Sequence, residues 1–367
     1  MKKTYHTIII GAGIAGASIA YALKQKGVDV LVIDKGHVAS GGSGAAGAFV
    51  SPKIGKGSAL QKLTNEAFVY AKNFYLSTCP SYFHQTGVIR IPKNELDAIN
   101  FSSYAPYNDE GCENYSTKKL QSHNIHTSFN SFFFSQAGDC DAKHVCESLL
   151  QNISVLKQNI EKISKEDNYW KVGEYSTTNL VLATGYESNL TDLRYMGIRG
   201  TWGTRGDFNS SLDLQVSMHQ SMSVGANING VIKLGATHEK EVTLPEPCND
   251  EKALELKEKA SSLIDTSDFV LKESFCGMRA GSKDYFPLVG KVIDVPFMLE
   301  THPKVLRGAK PELDYLDNLY VLNGLGGRGF VFAPLMAKWL AEHIVEEKEI
   351  DKRVSPDRLF LKWCRKL

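Results

Sequence analysis

The sequence predicts an α/β protein with two parts: a parallel sheet wound with helices, and a mainly antiparallel sheet beside it in the chain. Three observations predict it. Near the N-terminus, "YHTIIIGAGIAGASIAYALKQKG" runs from a short β-branched stretch through spaced glycines into a helical pattern. Near the C-terminus, "LYVLNGLGGRGFVFAPLMAKWLAEHI" repeats the order of strand, glycine loop and amphipathic helix. Between them "TGVIRIP", "QVSMHQS" and "VIKLGATH" alternate or run apolar over strand length, as in an antiparallel sheet with one covered face.

Length and composition bound the reading. A chain of 367 residues suffices for two ordinary domains or one large interleaved unit. It is 43% hydrophobic and 23% charged, as globular proteins are, and its net charge of +1 excludes a broadly basic nucleic-acid coat while allowing a local basic patch. The seven cysteines include no C-x-x-C pair, so neither a disulfide framework nor a structural zinc site is expected, and a reducing cytoplasm fits best. Lys2, Lys3 and the apolar run after them superficially resemble a secretory leader, but the polar Thr4 to Thr7 interrupts it and the glycines stand at motif spacing. No segment is long and apolar enough to span a bilayer, and the histidines do not recur at metal-ligand spacing, so neither a membrane nor a metal is expected.

The N-terminal motif explains itself piece by piece. Thr7 to Ile10 reads as a buried strand, Gly11, Gly13 and Gly16 supply G-x-G-x-x-G as a helix opens, and Val28 to Ile33 forms a second strand ending at Asp34. The first glycine makes the tight turn, the second admits a pyrophosphate to the backbone, and the third lets helix and strand pack closely. Asp34 stands where an acid accepts hydrogen bonds from a ribose, which disfavours a 2′-phosphate. Ala15 in the helix's first turn and Lys35 beside Asp34 join the candidate nucleotide contacts. A dinucleotide is therefore expected.

Three later features favour FAD over NAD. The loop "ASGGSGAAGAFVSP", with Ser40, Ser43 and Gly47, is small enough to lie close to an extended cofactor. The strand "NLVLATGY" ends in Ala183, Thr184 and Gly185. In the C-terminal stretch a strand at Leu319 to Leu322 leads through the loop Asn323 to Gly329 into a helix expected from about Ala333. Gly324, Gly326, Gly327, Arg328, Gly329 and Phe330 are the contacts expected from that loop, and a helix N-terminus there favours negative charge.

Together these segments resemble the FAD-dependent amine oxidase superfamily typified by D-amino acid oxidase and glycine oxidase. The resemblance implies a Rossmann-like FAD-binding domain interleaved with a substrate domain, the early glycines holding the pyrophosphate and the late loop serving the isoalloxazine. It places the FAD domain at 1–84, 136–192 and 276–350, the substrate domain at 85–135 and 193–275, and a basic C-terminal helix at 351–367. "GMRAGSKDYFPLVG" carries Arg279, where an arginine in this superfamily often holds the substrate carboxylate through its bidentate fork. Pairing of Arg279 with a local acid or with the flavin is the alternative. Arg328 is the second catalytic candidate, and His238 in "GATH" stands nearer to an ordinary structural histidine.

A closer resemblance spans the chain nearly end to end. "GAFVSP", "NEAFVYAKNFY", "TGVIRIP", "FFFSQAGDCDAKHVCESLL", "KLGATH", "GMRAGSKDYFPLVG", the late loop and "VSPDRLFLKWCRKL" are similar, in order and spacing, to the oxidoreductase half of the bifunctional tRNA 5-methylaminomethyl-2-thiouridine biosynthesis (MnmC) proteins. That family implies removal of glyoxylate from the carboxymethylaminomethyl group of wobble uridine in tRNA, leaving 5-aminomethyluridine. Its Ser-Gly-Asn-Arg-Gln-Gly-type loop is here Gly-Ala-Ala-Gly at Gly44 to Gly47, which puts side-chain contacts from that loop in doubt. Its methyltransferase half has no counterpart in this sequence, so a separate methyltransferase partner is a further expectation. Arg358, Lys362, Arg365 and Lys366 follow helical spacing and could meet RNA phosphates, joined by Lys53, Lys56, Lys62, Arg194, Arg199 and Arg205. A solvated terminal helix is the plain alternative. An oxidase of glycine, sarcosine or a D-amino acid, and a flavin-binding scaffold without turnover, remain alternatives for the whole chain.

Overall fold

The computed structural model describes residues 4–108, 111–187 and 189–367. The basic start at Lys2 and Lys3 lies outside them. The chain divides into two compact units: 1–41, 146–200 and 279–367 form the first, 42–145 and 201–278 the second. The expected boundaries stood at 84, 135, 192 and 275, whereas the chain changes unit after 41, 145, 200 and 278. Residues 42–84 and 136–145 go with the second unit because Phe49–Val50, Phe83–His84 and Gly138–Cys140 pair there as a three-stranded sheet.

The first unit is the wound part. Strand β1 (Thr4–Ile10) pairs in parallel with β2 (Val30–Asp34) on one side and with β3 (Tyr175–Leu182) on the other. Strand β4 (Tyr315–Asn323) extends the parallel set from β3. Their apolar, β-branched residues are buried, as in a sheet covered by helices. Helix α1 (Ile14–Gln25) follows β1 and ends where Gly27, at φ +75°, turns the chain while Lys26 and Gly27 donate to the carbonyls of Leu23 and Lys24. Helix α2 (Gly329–Glu346) packs along α1. It starts four residues before the expected Ala333, because Gly326–Arg328 already forms a helical turn that runs into it. Helix α3 (Asp357–Cys364) belongs to this same unit and buries Leu359, Phe360 and Cys364, with Phe360 edge-on to Tyr195 at 5.6 Å.

The second unit carries an eight-stranded sheet in the order 270–281, 199–209, 231–235, 223–224, 217–219, 88–90, 131–134, 112–115. Of the six neighbour pairs whose register is described, five are antiparallel and one, Ser217–His219 with Val88–Arg90, is parallel. The three strands expected from "TGVIRIP", "QVSMHQS" and "VIKLGATH" are all in it. One disulfide joins Cys248 to Cys276, where none was expected. Their Cα atoms stand 5.4 Å apart, within bridging range, although 28 positions separate them in sequence and no local motif marks the pair.

Candidate active site

In the first unit two helix N-termini lie side by side. The N-cap of α1 is Gly13 and that of α2 is Arg328; neither has a side-chain cap, and neither helix carries an acid in its first turn. The positive ends of both helix dipoles thus favour an anionic or carbonyl acceptor. Gly329 brings the helices together: a Cβ there would lie 3.2 Å from Ile14 Cγ2. Gly11 is at φ +112°, and a Cβ on it would fall 2.8 Å from the Ala183 carbonyl carbon. A Cβ on Gly16 would fall 2.9 Å from the Gly11 carbonyl carbon, so the first and third motif glycines serve chain packing around the loop.

Asp34 ends β2 half-buried. Its two oxygens accept from the N–H groups of Ala12 and Gly36, each at 2.7 Å. Each oxygen keeps a second lone pair, so a ribose diol can add to this arrangement without displacing it. Lys35 points elsewhere: it pairs with Glu187, whose backbone carbonyl takes the Thr184 hydroxyl. Ala183 is fixed by its N–H donating to Ile10, and a Cβ on Gly185 or Gly327 would meet nothing within 4 Å. Those two glycines border open space, as a cradle for a flat group requires. The two helix N-termini without a side-chain cap, the acid of Asp34 and this space fit FAD. Ala15 is half-buried in the first turn of α1, and Ser40 is exposed with its N–H on the His37 carbonyl.

Asn323 is a residue the sequence did not single out. It is buried, its amide donates to the Gly185 carbonyl at 2.8 Å, and its side-chain oxygen accepts from Gly324 N–H at 2.8 Å. It therefore ties the end of β3 to the start of the late loop. Gly324 is held at φ +69°, and a Cβ there would lie 2.9 Å from Leu288 and 3.3 Å from Ser282. Its place within "NGLGG" was the available signal, but an asparagine before a glycine reads first as a turn residue.

Arg279 belongs to the same neighbourhood. Gly281, two positions after it on the strand Val270–Gly281, forms an antiparallel bridge with Leu325. The bridge sets the strand end carrying Arg279 beside the loop carrying Gly326, Gly327 and Arg328. Both arginines are partly buried, and desolvation pulls the Arg328 guanidinium down to about 10. Phe330 is buried in the first turn of α2.

In the second unit Ser43 and Gly47 sit in the glycine-rich loop, half-buried. Arg205 organises that loop. It is 5% exposed, its Nε donates to Asp207 Oδ1 at 2.9 Å, its Nη1 donates to the Gly44 carbonyl at 3.2 Å and to that of Ala46, and its guanidinium covers the Phe275 ring at 3.9 Å. Arg205 is thus a buried clamp and no part of an RNA-facing patch, which its sequence position could not reveal. Burial raises the Asp207 carboxyl above its usual value although Arg205 opposes this. Arg205→Met is expected to cost about 3–5 kcal/mol, because it leaves a buried carboxylate and two carbonyls without their donor. A urea unfolding midpoint matching the parent's would sink this role. His238 is exposed and lines a cavity of about 490 Å³ with Thr237, Glu239, Lys252, Glu255 and Lys259.

The proposed RNA face of α3 needs one correction. Arg358 donates to both oxygens of Asp284, at 2.8 and 2.9 Å, and to the carbonyls of Val354, Ser355 and Phe286. Its five donors are spent within the fold, and it holds the Asp284 carboxyl below the usual range. Lys362, Arg365 and Lys366 are exposed. Arg194 pairs with Asp192 and lies 5.5 Å over the Trp363 ring, while Lys62 borders a second cavity with Gln61 and Tyr107.

Taken together, the parallel sheet, the paired helix N-termini and the acid at the end of β2 define a dinucleotide-binding protein of the flavoprotein type. The chain belongs to the DAO family of FAD dependent oxidoreductases, whose family model matches residues 6–343. It is an FAD-dependent enzyme. Among its relatives is the tRNA 5-methylaminomethyl-2-thiouridine biosynthesis bifunctional protein MnmC of Legionella pneumophila (strain Lens), 25% identical over 98% of this chain and 58% of that protein. The protein of that name from Marinomonas sp. (strain MWYL1) is 23% identical over 97% and 59%. The chain thus spans somewhat over half the length of these relatives. In fold it is similar to glycine oxidase from Bacillus cereus ATCC 14579, with a TM-score of 0.77 and 18% identity over 94% of this chain and 96% of that one. L-proline dehydrogenase from P. horikoshii gives 0.78 and 16%, covering 98% of each. Among the described residues no helix is long and apolar enough to cross a membrane.

Proposed function

We propose that the enzyme oxidises the carboxymethylaminomethyl group of a wobble uridine in tRNA, releasing glyoxylate and leaving the 5-aminomethyl nucleoside. The observation that carries this reading is the similarity over 97–98% of the chain to relatives named for that tRNA modification. A methyltransferase is the natural consumer of the primary amine that the reaction leaves. The reaction belongs in the cytoplasm, where tRNA matures.

The substrate carries the secondary amine CH2–NH–CH2–COO⁻. Bound FAD would accept two electrons and a proton, as a hydride equivalent, from the methylene next to the carboxylate. The resulting imine takes up water and splits into glyoxylate and the primary amine. The residues have simpler tasks. Arg279 would hold the carboxylate through its bidentate fork and so fix the methylene. Two guanidiniums on adjoining segments, those of Arg279 and Arg328, disfavour a protonated amine nearby and so favour the neutral form that can be oxidised. The leading N–H groups of α1 and α2 suit the pyrophosphate and the negative charge that reduced flavin gains. Asp34 would take the ribose hydroxyls.

Anaerobic bleaching of the flavin's visible absorbance tests the reading. Bleaching by tRNA bearing the carboxymethylaminomethyl group, with none by glycine, sarcosine or D-alanine at far higher concentration, is the expected result. Bleaching by a free amino acid alone makes the enzyme a small-molecule oxidase. A flavin that no amine bleaches marks a scaffold.

A further inference from the structure

We propose that Arg199, Lys283, Lys362 and Lys366 form a surface that docks the phosphate backbone of the tRNA. This rests on the tRNA reading above and deepens it. The four residues come from three segments of the first unit and are all exposed.

Arg358 sets the arrangement. Its bidentate hold on Asp284 pins α3 to the segment 284–286, so Lys283, next in the chain to Asp284, comes up beside that helix. Lys362 stands one turn beyond Arg358 on α3, and Lys366 four positions further. The segment before Arg199 flanks the same place, since a Cβ on Gly197 would lie 3.5 Å from Lys283 Cβ. Lys366 and Lys283 are near enough that the Lys283 ammonium is held below its usual value, by Lys366 first and by Arg199 and Lys362 as well. Among the described residues no carboxylate pairs with any of the four. The nearby acids are committed, Asp284 to Arg358 and Asp192 to Arg194.

Like charges so gathered repel one another, and among the described residues no paired carboxylate offsets the repulsion. A partner with repeated negative charge does. The cations are spread over three segments rather than converging on one cradle, which matches a backbone carrying many phosphates better than a single small anion. Neutralising one phosphate is worth roughly a factor of five at about 0.15 M salt, so three such contacts are worth about 100-fold in affinity.

The test uses the FAD-loaded full chain and a fluorescently labelled tRNA transcript, with affinity followed by anisotropy across a salt series. The triple variant Lys283→Ala, Lys362→Ala, Lys366→Ala should bind about 100-fold more weakly near 0.15 M salt, and its slope of log K against log salt should be shallower by about 2. Lys362→Gln alone should lower the slope by about 0.7–0.9. The flavin absorbance spectrum reports whether the variants are folded. A parental affinity and slope in both variants overturns the docking surface, and leaves the functional reading standing if modified tRNA still bleaches the parent enzyme. Failure of modified tRNA to bleach the parent removes the reading and the surface with it. Binding to anionic phospholipid vesicles with none to tRNA overturns the choice of partner.

Discussion

Gly11→Ala is expected to yield a protein without bound FAD and with its first unit destabilised by about 2–5 kcal/mol. Two costs add at this one position. The backbone sits at φ +112°, a conformation that side chains oppose, and the new methyl would drive into the Ala183 peptide group. Moving that peptide disturbs β3 where it hands over to Thr184 and Gly185, and Asn323 is tied to the Gly185 carbonyl. One methyl therefore perturbs the early loop, the end of β3 and the late loop together. The flavin-to-protein absorbance ratio of the purified variant checks this, alongside hydrogen exchange in β1 and β3. A yellow protein with parental exchange would show that the turn tolerates a side chain.

Arg279→Ala is expected to lower kcat/KM for the carboxylate-bearing amine by about 10²–10³, the cost of leaving a partly desolvated carboxylate without its charged donor. Flavin content should change little, because nothing in the anchoring of Asp34, Gly11 or Asn323 runs through Arg279. Arg279→Lys should recover only part of the loss, since an ammonium supplies the charge without the fork. Comparison with an analogue whose carboxylate is replaced by a neutral amide separates the roles: Arg279→Ala should cost it much less. Equal losses on both, or release of flavin, would assign Arg279 to the cofactor or to the fold.

The two glycine loops were legible because their information is local. In "GAGIAG" and "NGLGGRG" the strand, the turn and the helix start lie within a dozen residues, so the spacing of the glycines carries the motif even though what they pack against is distant. The central strands of the first unit announce themselves by continuous apolar runs. What stayed hidden depends on distant partners. Arg358 read as one cation of a helical face because Asp284, 74 positions earlier, is invisible to a helical wheel. Arg205 read as surface charge, although the carbonyls it holds lie about 160 positions away. The pairing of Phe49–Val50 with Gly138–Cys140 is too short for any alternation to register, and it moved a boundary. Cys248 and Cys276 met for the same long-range reason.

The alternation of the chain between its two units bears on how the protein comes into being. The neighbour β3 is made about 170 residues after β1, and β4 about 140 residues after β3. Until those neighbours are made, the nascent chain holds an apolar strand with one edge unmatched, a template for wrong pairing. Such an order favours slow closure of the parallel sheet. Adding FAD during expression should then raise the yield of active enzyme more than adding it to the finished apoprotein, since a ligand that binds only the closed sheet draws the last step forward.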